Sequence, residues 1–394
     1  MEHSRYNIEV EYFQKNKHGN HVCGDHFVSK KIQNENRVVA VLSDGLGSGI
    51  KASVLASMTA SMALHFTLKN EPIVRTAKTI MATLPEDKYR KISYATFSII
   101  DINSFGEAKV IEYDNPNFLI IRDRKVYSPH KEKMIIKREK LSDAKMFISK
   151  FNIRKEDRII FFSDGVSQSG MGSATMPFGW YDKVSDFVIN EIEKDPYISA
   201  KTLANKIVHR AERNDGLKLK DDTTCNVIYV RNPRNLLVCT GPPYEEDKDK
   251  QLADLVKSFD GKKIICGGTT SSIIARELKE EVEVGLDITD RSLPPASKMR
   301  GVDLITEGIL TIGKVAELLE KTDYKGLYDK GPAADIVRML LGSDKINFIV
   351  GTRINNAHQD PNLPVELEIR RIVIKKIKRI LEDKFLKEVE LKFI

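Results

Sequence analysis

Three features are scarce in this sequence of 394 residues: long apolar runs, cysteine, and an excess of charge of one sign. No window of about 18 uncharged apolar residues occurs, and residues 1–12 contain no apolar core of a secretory signal. We therefore expect a soluble, cytoplasmic protein with no membrane span. The net charge of +7 arises from 63 basic and 56 acidic side chains, a balance that does not predict nucleic-acid binding.

Cysteine is limited to four residues, which form no Cys-x-x-Cys pair. A disulfide framework or a cysteine–histidine zinc site is therefore not indicated. Small buried thiols in a reducing compartment are the expected role of the four, which adjoin apolar stretches: Cys23, Cys225, Cys239 and Cys266. The eight histidines are scattered along the chain. His26, beside Asp25, is either an acid at the edge of a site or a loop histidine.

The length corresponds to two domains, each with enough apolar residues for its own core. In the first domain, residues 1–231, β-branched stretches bounded by glycine turns predict antiparallel strands at 7–13, 37–42, 92–101, 108–113, 118–122, 158–162 and 224–230. Ser104-Phe105-Gly106 is the expected bend of a hairpin, and 118–122 is expected to continue that meander. Residues 50–69 and 198–213 have helical patterns.

From residue 235 onward, short apolar strands alternate with helical segments. This alternation predicts a doubly wound α/β domain with a mostly parallel sheet over residues 235–394. The strands are expected at 236–239, 263–266, 301–305 and 346–350, and the helices at 248–258, 270–279, 312–320 and 333–341. Arg231-Asn232-Pro233-Arg234 is the expected hinge between the domains.

Four acidic motifs follow or adjoin strand-like stretches of the first domain: Gly24-Asp25, Ser43-Asp44-Gly45-Leu46-Gly47-Ser48-Gly49, Ser163-Asp164-Gly165 and Asp221-Asp222-Thr223-Thr224. A single Asp-Gly is more often a turn, but four strand-end motifs can meet in a compact fold. Clustered carboxylates and a backbone carbonyl suit Mn²⁺ or Mg²⁺, which prefer oxygen ligands. Two such ions about 4 Å apart can hold a bridging water, lower its pKa and present it to a phosphorus atom.

The four motifs, in this order and spacing, resemble the SpoIIE-like bacterial branch of the type 2C (PPM) metal-dependent protein serine/threonine phosphatases. The resemblance covers about residues 5–231. It implies an α+β fold, an αββα sandwich of two antiparallel sheets flanked by helices, with two Mn²⁺ or Mg²⁺ ions bound at one edge. Domains appended to this group are commonly regulatory, so the resemblance also implies a regulatory or ligand-binding role for residues 235–394.

The resemblance further implies the ligands of the two ions. Asp44 would bridge both ions and Gly45 would offer its carbonyl. Asp164 and Asp221 would complete one ion, so that Asp44, Asp164 and Asp221 act in catalysis through the bound metals. Asp25 would act on the other side or through water. Asp222 is the weaker metal ligand, because eukaryotic relatives tend to carry asparagine there.

Two positions depart from the family pattern. Asp114-Asn115-Pro116-Asn117 stands where the family usually has an Asn-Ala-Gly-His-like turn, and the phosphate-gripping arginine of the eukaryotic members has no clear counterpart. The metal ligands therefore match, whereas phosphate recognition is not identified. Residues 170–179, which are rich in glycine, form either a mobile flap over the site or a plain connector.

Two stretches of the second domain are candidate ligand loops. Gly267-Gly268-Thr269-Thr270 lies between a predicted strand and a helix, where backbone N–H groups favour a phosphate or nucleotide. It matches neither the dinucleotide nor the Walker pattern. Residues 351–360, with Asn355 and Asn356, follow a strand at the sheet edge where such folds bind ligands. An ordinary turn or loop is the alternative for both stretches.

The tail, residues 368–385, predicts a basic amphipathic helix, followed by a strand at 388–393. The helix either closes the domain or binds a membrane surface or an acidic partner.

We expect a protein phosphatase that hydrolyses phosphoserine or phosphothreonine on a partner protein, by attack of a water that bridges two Mn²⁺ or Mg²⁺ ions. One alternative is a signalling or sensor module whose second domain binds a phosphorylated small-molecule effector. Another is a small-metabolite phosphohydrolase that uses the same metal centre. The sequence leaves open the identity of the phosphoprotein and the choice between monomer and homodimer.

Overall fold

The structure is a computed structural model that describes residues 6–32, 35, 37–83, 95–103, 105–137, 143–285, 293–321, 330–353, 363–385 and 387–394. For residues 363–368 it describes the backbone alone. By its internal contacts the chain divides into two compact units, residues 1–232 and 233–394.

Two antiparallel sheets form the centre of the first unit. Its strands are β1 (Asn7–Lys15), β2 (Asp25–Ile32), β3 (Arg37–Gly45), β4 (Ala95–Ile102), β5 (Glu107–Tyr113), β6 (Leu119–Arg122), β7 (Lys125–Val126), β8 (Lys131–Ile136), β9 (Ala144–Asn152), β10 (Arg158–Phe162) and β11 (Thr223–Arg231). Its helices are α1 (Ile50–Leu68), α2 (Ile73–Thr83), α3 (Asp164–Ser167), α4 (Val184–Lys194) and α5 (Ala200–Asn214). The sheet orders are β1-β11-β10-β6-β7 and β2-β3-β4-β5-β9-β8.

Strand β3 shows how the layers form. Because side chains alternate between the two faces of a strand, Ala40 and Leu42 pack in the core between the sheets, where Phe161 of the other sheet also lies. Val39 and Val41 point the other way, into a second core that includes residues of α1 and α2. Helices α4 and α5 cover the outer face of the other sheet. The αββα sandwich is confirmed.

The predicted meander is wrong in its last strand. Strands β4 and β5 form the expected hairpin, although Ser104 of its bend lies outside the described residues. Strand β6 then leaves that sheet and pairs with β10 and β7 of the other sheet. The turn between β5 and β6 contains Asp114 at a φ of 55° and Pro116, which cannot donate to a strand ladder. This turn therefore redirects the chain to the second sheet.

The second unit has one mixed sheet. Its strands are β12 (Asn235–Thr240), β13 (Lys262–Cys266), β14 (Glu283–Val284), β15 (Ser297–Met299), β16 (Val302–Thr306), β17 (Lys345–Val350) and β18 (Glu388–Phe393). Its helices are α6 (Lys248–Ser258), α7 (Gly268–Leu278), α8 (Ile309–Lys321), α9 (Pro332–Leu341) and α10 (Leu363–Asp383). The sheet order is β14-β15-β16-β13-β12-β17-β18.

The doubly wound α/β fold is confirmed. Neighbouring strands pair in parallel along the run β16-β13-β12-β17-β18. The pairings of β14 with β15 and of β15 with β16, at one edge of the sheet, are antiparallel. Helices α8, α9 and α10 pack on one face of the sheet, and α6 and α7 pack on the other. The tail forms α10 and then β18 along β17, so its apolar side chains help to close the domain core.

All four cysteines are buried and unpaired, as expected from their apolar surroundings. Among the helices that the structure describes, none combines the length and apolarity needed to cross a bilayer.

Candidate metal centre

Strands β2 and β3 of the six-stranded sheet form one side of the site. Asp25 is the first residue of β2, and its cross-strand partner is Asp44, the penultimate residue of β3. Both carboxylates share the face of Leu42 and therefore point toward the space between the two sheets. Gly45 ends β3, and its N–H donates to the Gly24 carbonyl at 3.2 Å.

The second edge comes from β10 and β11. Asp164 begins α3, two residues after β10 ends, and Asp221 and Asp222 immediately precede β11. Because β10 and β11 are antiparallel neighbours, the end of one strand and the start of the other lie at the same edge. The Thr224 hydroxyl of β11 donates to Asp25 Oδ2 at 2.7 Å. This hydrogen bond joins the two edges, so all five predicted aspartates lie together.

The proximity of the aspartates and their burial affect the pKa values of their carboxyl groups. Burial, followed by the charges of Asp25, Asp164 and Asp221, raises the pKa of Asp44 well above its ordinary value. Burial is also the main cause that raises the pKa of Asp25 to about 7, against the opposing effect of its hydroxyl donors. The pKa values of Asp164 and Asp221 are raised as well, again mainly by burial. The charge of Lys17 opposes these shifts at Asp164 and Asp221 but does not cancel them.

Asp222 is, with Asp25, one of the two buried acids among the five. Its side chain is buried, and Oδ1 accepts a hydrogen bond from the Lys17 backbone N–H at 2.9 Å. A Cβ on Gly24 would lie 2.8 Å from Asp222 Oδ2, and a Cβ on Gly165 would lie 2.2 Å from the Asp222 carbonyl oxygen. Two of the four motifs thus need glycine because their backbones approach Asp222 so closely.

These donors fit hard divalent cations. Asp25 Oδ1 and Asp222 Oδ2 are buried carboxylate oxygens with no hydrogen-bond partner, and an oxygen in that state is costly unless a cation compensates it. Among the described residues, no three His, Cys, Asp or Glu side chains form a complete metal-binding group. Mg²⁺ usually keeps several waters and takes only one or two carboxylates, so a cluster of this kind remains compatible with it.

Several supporting residues were missed from the sequence. Thr224 and the backbone of Lys17 hold Asp25 and Asp222, as described above. Asn115, in the turn that departs from the family pattern, accepts from the Thr96 hydroxyl and donates to Ser98 Oγ at 3.0 Å. Thr96 is the cross-strand partner of Asp44. The adjacency of Thr224 to Asp221-Asp222 was the available signal, whereas nothing in the sequence marks Lys17.

His26 and Ser163 are the sequence neighbours of two acids of the site, Asp25 and Asp164. His26 is half-buried, and strand alternation places it on the face of β2 opposite to Asp25. Ser163 is buried, and its hydroxyl accepts from the Thr224 N–H at 3.0 Å. The Ser163 hydroxyl therefore helps to hold β11 beside β10.

Residues 170–179 form a compact turn. The Gly170 N–H donates to Asp215 Oδ1 at 2.7 Å, and Ser173 and Met176 form an isolated β-bridge. Phe178 is 86% exposed at the surface of this turn. Its role as a flap stays a prediction.

The candidate loops of the second unit lie apart from these acids in the sequence. Gly267 precedes α7, and Gly268, Thr269 and Thr270 form its first turn. Asn355 and Asn356 lie outside the described residues.

The profile of the family described as Stage II sporulation protein E (SpoIIE) matches residues 34–231, just over half of the chain. No curated protein matches the chain.

Three solved structures are similar to this chain. The phosphatase domain of the cell fate determinant SpoIIE from Bacillus subtilis has a TM-score of 0.43 and 16% identity, over 59% of this chain and 95% of that one. The same phosphatase domain with a fragment of its regulatory domain has a TM-score of 0.47 and 18% identity, over 57% of this chain and 64% of that one. The RsbU and RsbW domains of a Mycobacterium tuberculosis protein have a TM-score of 0.45 and 14% identity, over 64% of this chain and 68% of that one.

Proposed function

The chain belongs to the Stage II sporulation protein E (SpoIIE) family, and from that premise we propose that it is a metal-dependent protein phosphatase acting on phosphoserine or phosphothreonine of a partner protein. One observation carries the proposal. Five aspartates from two sheets lie together at one edge, and two of their buried oxygens, Asp25 Oδ1 and Asp222 Oδ2, have no partner.

Two Mn²⁺ or Mg²⁺ ions would be held by Asp44, the Gly45 carbonyl, Asp164 and Asp221, with Asp25 acting directly or through water. When bound, the ions supply a water of lowered pKa and neutralise the phosphoryl oxygens. The proposed dependence on metal follows from the raised pKa values of the acids, because a cluster of buried carboxylates stabilises cations in the same way that it stabilises protons.

The surrounding residues keep the acids in place for this reaction. Thr224 fixes one oxygen of Asp25, and the Lys17 N–H fixes one oxygen of Asp222. Gln168 Nε2 donates to Asp164 Oδ2 at 3.0 Å. Each acid so held keeps its other oxygen for a cation. Held carboxylates lose less conformational freedom on binding, which favours a pre-organised site.

The proposal is tested by phosphate release from a phosphoserine peptide and from an aryl phosphate, with Mn²⁺, with Mg²⁺ and with EDTA. We expect activity only with a divalent metal. Asp44→Asn and Asp164→Asn should each lose about 100-fold or more in kcat/KM, whereas Asp186→Asn, an exposed acid of α4 in the same unit, should match the parent enzyme. Circular dichroism checks that each variant is folded.

Two results would contradict the proposal. One is a folded, metal-loaded protein that releases no phosphate from either substrate. The other is an Asp164→Asn variant as active as the parent. Rapid hydrolysis of small phosphate esters with none of the phosphopeptide would instead favour the metabolite phosphohydrolase.

A further inference from the structure

Glycines follow most of the parallel strands of the second unit. Four of them, β12, β13, β16 and β17, are each followed within two residues by a glycine: Gly241, Gly267, Gly308 and Gly351. Open parallel sheets bind ligands at the carboxyl ends of their strands, because the loops there leave crevices and the helix N-termini point toward them. This edge is therefore the part of the second unit to search for a site.

The portion of the edge between β12 and β17 is closed by backbone. The Gly351 N–H donates to the Thr240 carbonyl at 2.9 Å, and the Arg353 N–H donates to the Pro242 carbonyl at 3.2 Å. A Cβ on Gly351 would lie 2.0 Å from the Pro242 carbonyl oxygen. The glycine here serves close packing, and a ligand has to bind farther along the edge, at β13 and β16.

Helix α7 begins at that open portion. Its N-cap, Gly267, has a φ of 119°, no side chain caps the helix, and its first turn has no acidic residue. Gly268, the first helical residue, is exposed and has no positive φ. A Cβ at Gly268 would have no heavy atom within 4 Å, so neither conformation nor packing calls for glycine. Its missing side chain leaves the backbone N–H groups of α7 open to an anion.

Buried hydroxyls lie beneath this opening. Thr240, Thr270 and Thr311 are each at most 1% exposed, and none of their hydroxyl oxygens has a partner. In the described part of the second unit, these three are the buried side-chain hydroxyls without a hydrogen-bond partner. All three lie at the carboxyl edge of the sheet. Thr270 Oγ1 lies 3.4 Å from the position of a Cβ on Gly267, so this hydroxyl points at the N-cap of α7.

Thr270 and Thr311 occupy equivalent places. Each is the third residue of its helix, α7 or α8, behind a glycine whose carbonyl accepts the first helical hydrogen bond. The two N-cap glycines touch, since a Cβ on Gly308 would lie 3.5 Å from the Gly267 Cα. The Gly267 N–H donates to the Thr306 carbonyl at 2.8 Å, and this backbone hydrogen bond joins the start of α7 to the end of β16. A small separation of the turns would uncover both hydroxyls to a ligand bound above them.

The charges distinguish the two helix starts. The Glu307 carboxylate accepts a hydrogen bond from the Gly308 N–H, so α8 carries its own anion, whereas α7 has none in its first turn. The start of α7 is therefore the better candidate of the pair for binding an anion.

We propose that the start of α7 binds the phosphate group of a phosphorylated small molecule. The first turn of α7, which begins at Gly268, presents its backbone N–H groups, and the Thr270 and Thr311 hydroxyls donate to phosphate oxygens. This site is separate from the phosphatase reaction and needs no metal. It gives the second unit a ligand of its own.

The test is calorimetric titration of the full chain with pyrophosphate, ATP and NAD⁺ in EDTA, which removes metal-mediated phosphate binding by the first unit. We expect saturable binding of at least one probe. Gly268→Ala, whose methyl group enters the opening, and Thr270→Val, which loses the hydroxyl, should each weaken it by about tenfold or more. Gly313→Ala is the matched control, because Gly313 is a helical glycine of α8 that also has nothing within 4 Å, and it should bind like the parent chain.

The absence of saturable binding of all three probes would overturn the proposal. So would binding that Gly268→Ala and Thr270→Val leave unchanged, or an equal loss in Gly313→Ala. Asp164→Asn should bind the probes like the parent chain, so failure of this site is distinguishable from failure of the phosphatase.

Discussion

The Thr224 hydroxyl donates to Asp25 Oδ2 at 2.7 Å, and through this hydrogen bond β11 of one sheet holds the first residue of β2 in the other. The bond also lowers the pKa of Asp25, which burial raises. A single threonine therefore couples the packing of the two sheets to the acidity of the proposed metal centre.

Thr224→Val should destabilise the metal-free first unit by about 1–3 kcal/mol, because it leaves a buried carboxylate oxygen without its donor. The loss should be larger at pH 8 than at pH 5.5, since the pKa of Asp25 is about 7 and the ionised form needs the donor more. Urea unfolding followed by tryptophan fluorescence measures it, because Trp180 is the one tryptophan of the chain and lies buried in the first unit.

Thr59→Val is the matched control for this experiment. The Thr59 hydroxyl is also buried, but it donates to the Leu55 carbonyl within α1. Its loss should have the same effect at both pH values. A pH-independent loss in Thr224→Val would contradict the coupling to Asp25.

Asp25→Asn should stabilise the protein in EDTA. The pKa of Asp25 is raised to about 7 in the folded state, against an ordinary value near 3.9, so the folded state retains a proton that the unfolded state loses. Stability therefore falls as the pH rises from about 4 to about 7 and stays low above that. Asparagine removes this penalty and keeps an oxygen for the Thr224 hydroxyl.

Thermal melts from pH 5 to pH 8 measure this effect, with a gain of about 2–4 °C in Tm for each kcal/mol recovered. The gain should grow with pH. Added Mn²⁺ should reverse the order, because the parent protein binds the metal and the variant binds it less well. If the variant is no more stable than the parent at pH 8 in EDTA, ionisation of the buried Asp25 does not destabilise the folded protein.

Asp44 and Asp164 were predictable because each follows a strand with a clear β-branched pattern. Asp44 follows 37–42 and Asp164 follows 158–162, and the ends of such strands are well marked by glycine. The partner strand β2 was not predicted, since its Ser29, Lys30 and Lys31 interrupt the apolar pattern.

Contacts that depend on backbone atoms could not be predicted at all. The Lys17 N–H that holds Asp222 depends on how a loop passes the start of β11, and any residue other than proline could supply it. The crossing of β6 to the second sheet was not predicted for a similar reason. The pattern of a strand of four residues does not show which sheet the strand joins.

Gly165→Ala should destabilise the first unit by about 3 kcal/mol or more. The added Cβ would lie 2.2 Å from the Asp222 carbonyl oxygen, and a backbone atom cannot move aside without shifting β11. Gly216→Ala is the control. Gly216 has a φ of 68° and nothing within 4 Å of a Cβ, so its loss should be about 1 kcal/mol from backbone strain alone.

Urea unfolding followed by Trp180 fluorescence compares the two variants in one assay. Equal losses would mean that the approach of α3 to β11 adjusts freely. In that event the position of Asp164, which begins α3, would also be adjustable, and a modest loss of activity should accompany the small loss of stability.

The buried pair between Arg122 and Asp157 makes the strongest stability prediction outside the site. Arg122 Nε donates to Asp157 Oδ1 at 2.9 Å and Nη2 donates to Oδ2 at 2.7 Å. Asp157 is fully buried and also accepts from the Arg154 N–H at 2.7 Å. Asp157→Asn leaves the Arg122 charge buried without compensation, so it should cost the first unit about 3–5 kcal/mol.

Glu71→Gln is the matched control, because Glu71, just before α2, pairs with Arg75 four residues later, and the arginine is 75% exposed. That substitution should change the free energy of unfolding by about 0.5 kcal/mol or less. Added salt should weaken only the exposed pair, since the buried charges are screened little by ions in solution. Similar losses in the two variants, each reduced by salt, would mean that water reaches Asp157, and the pair would then contribute no more to the sheet than a surface contact.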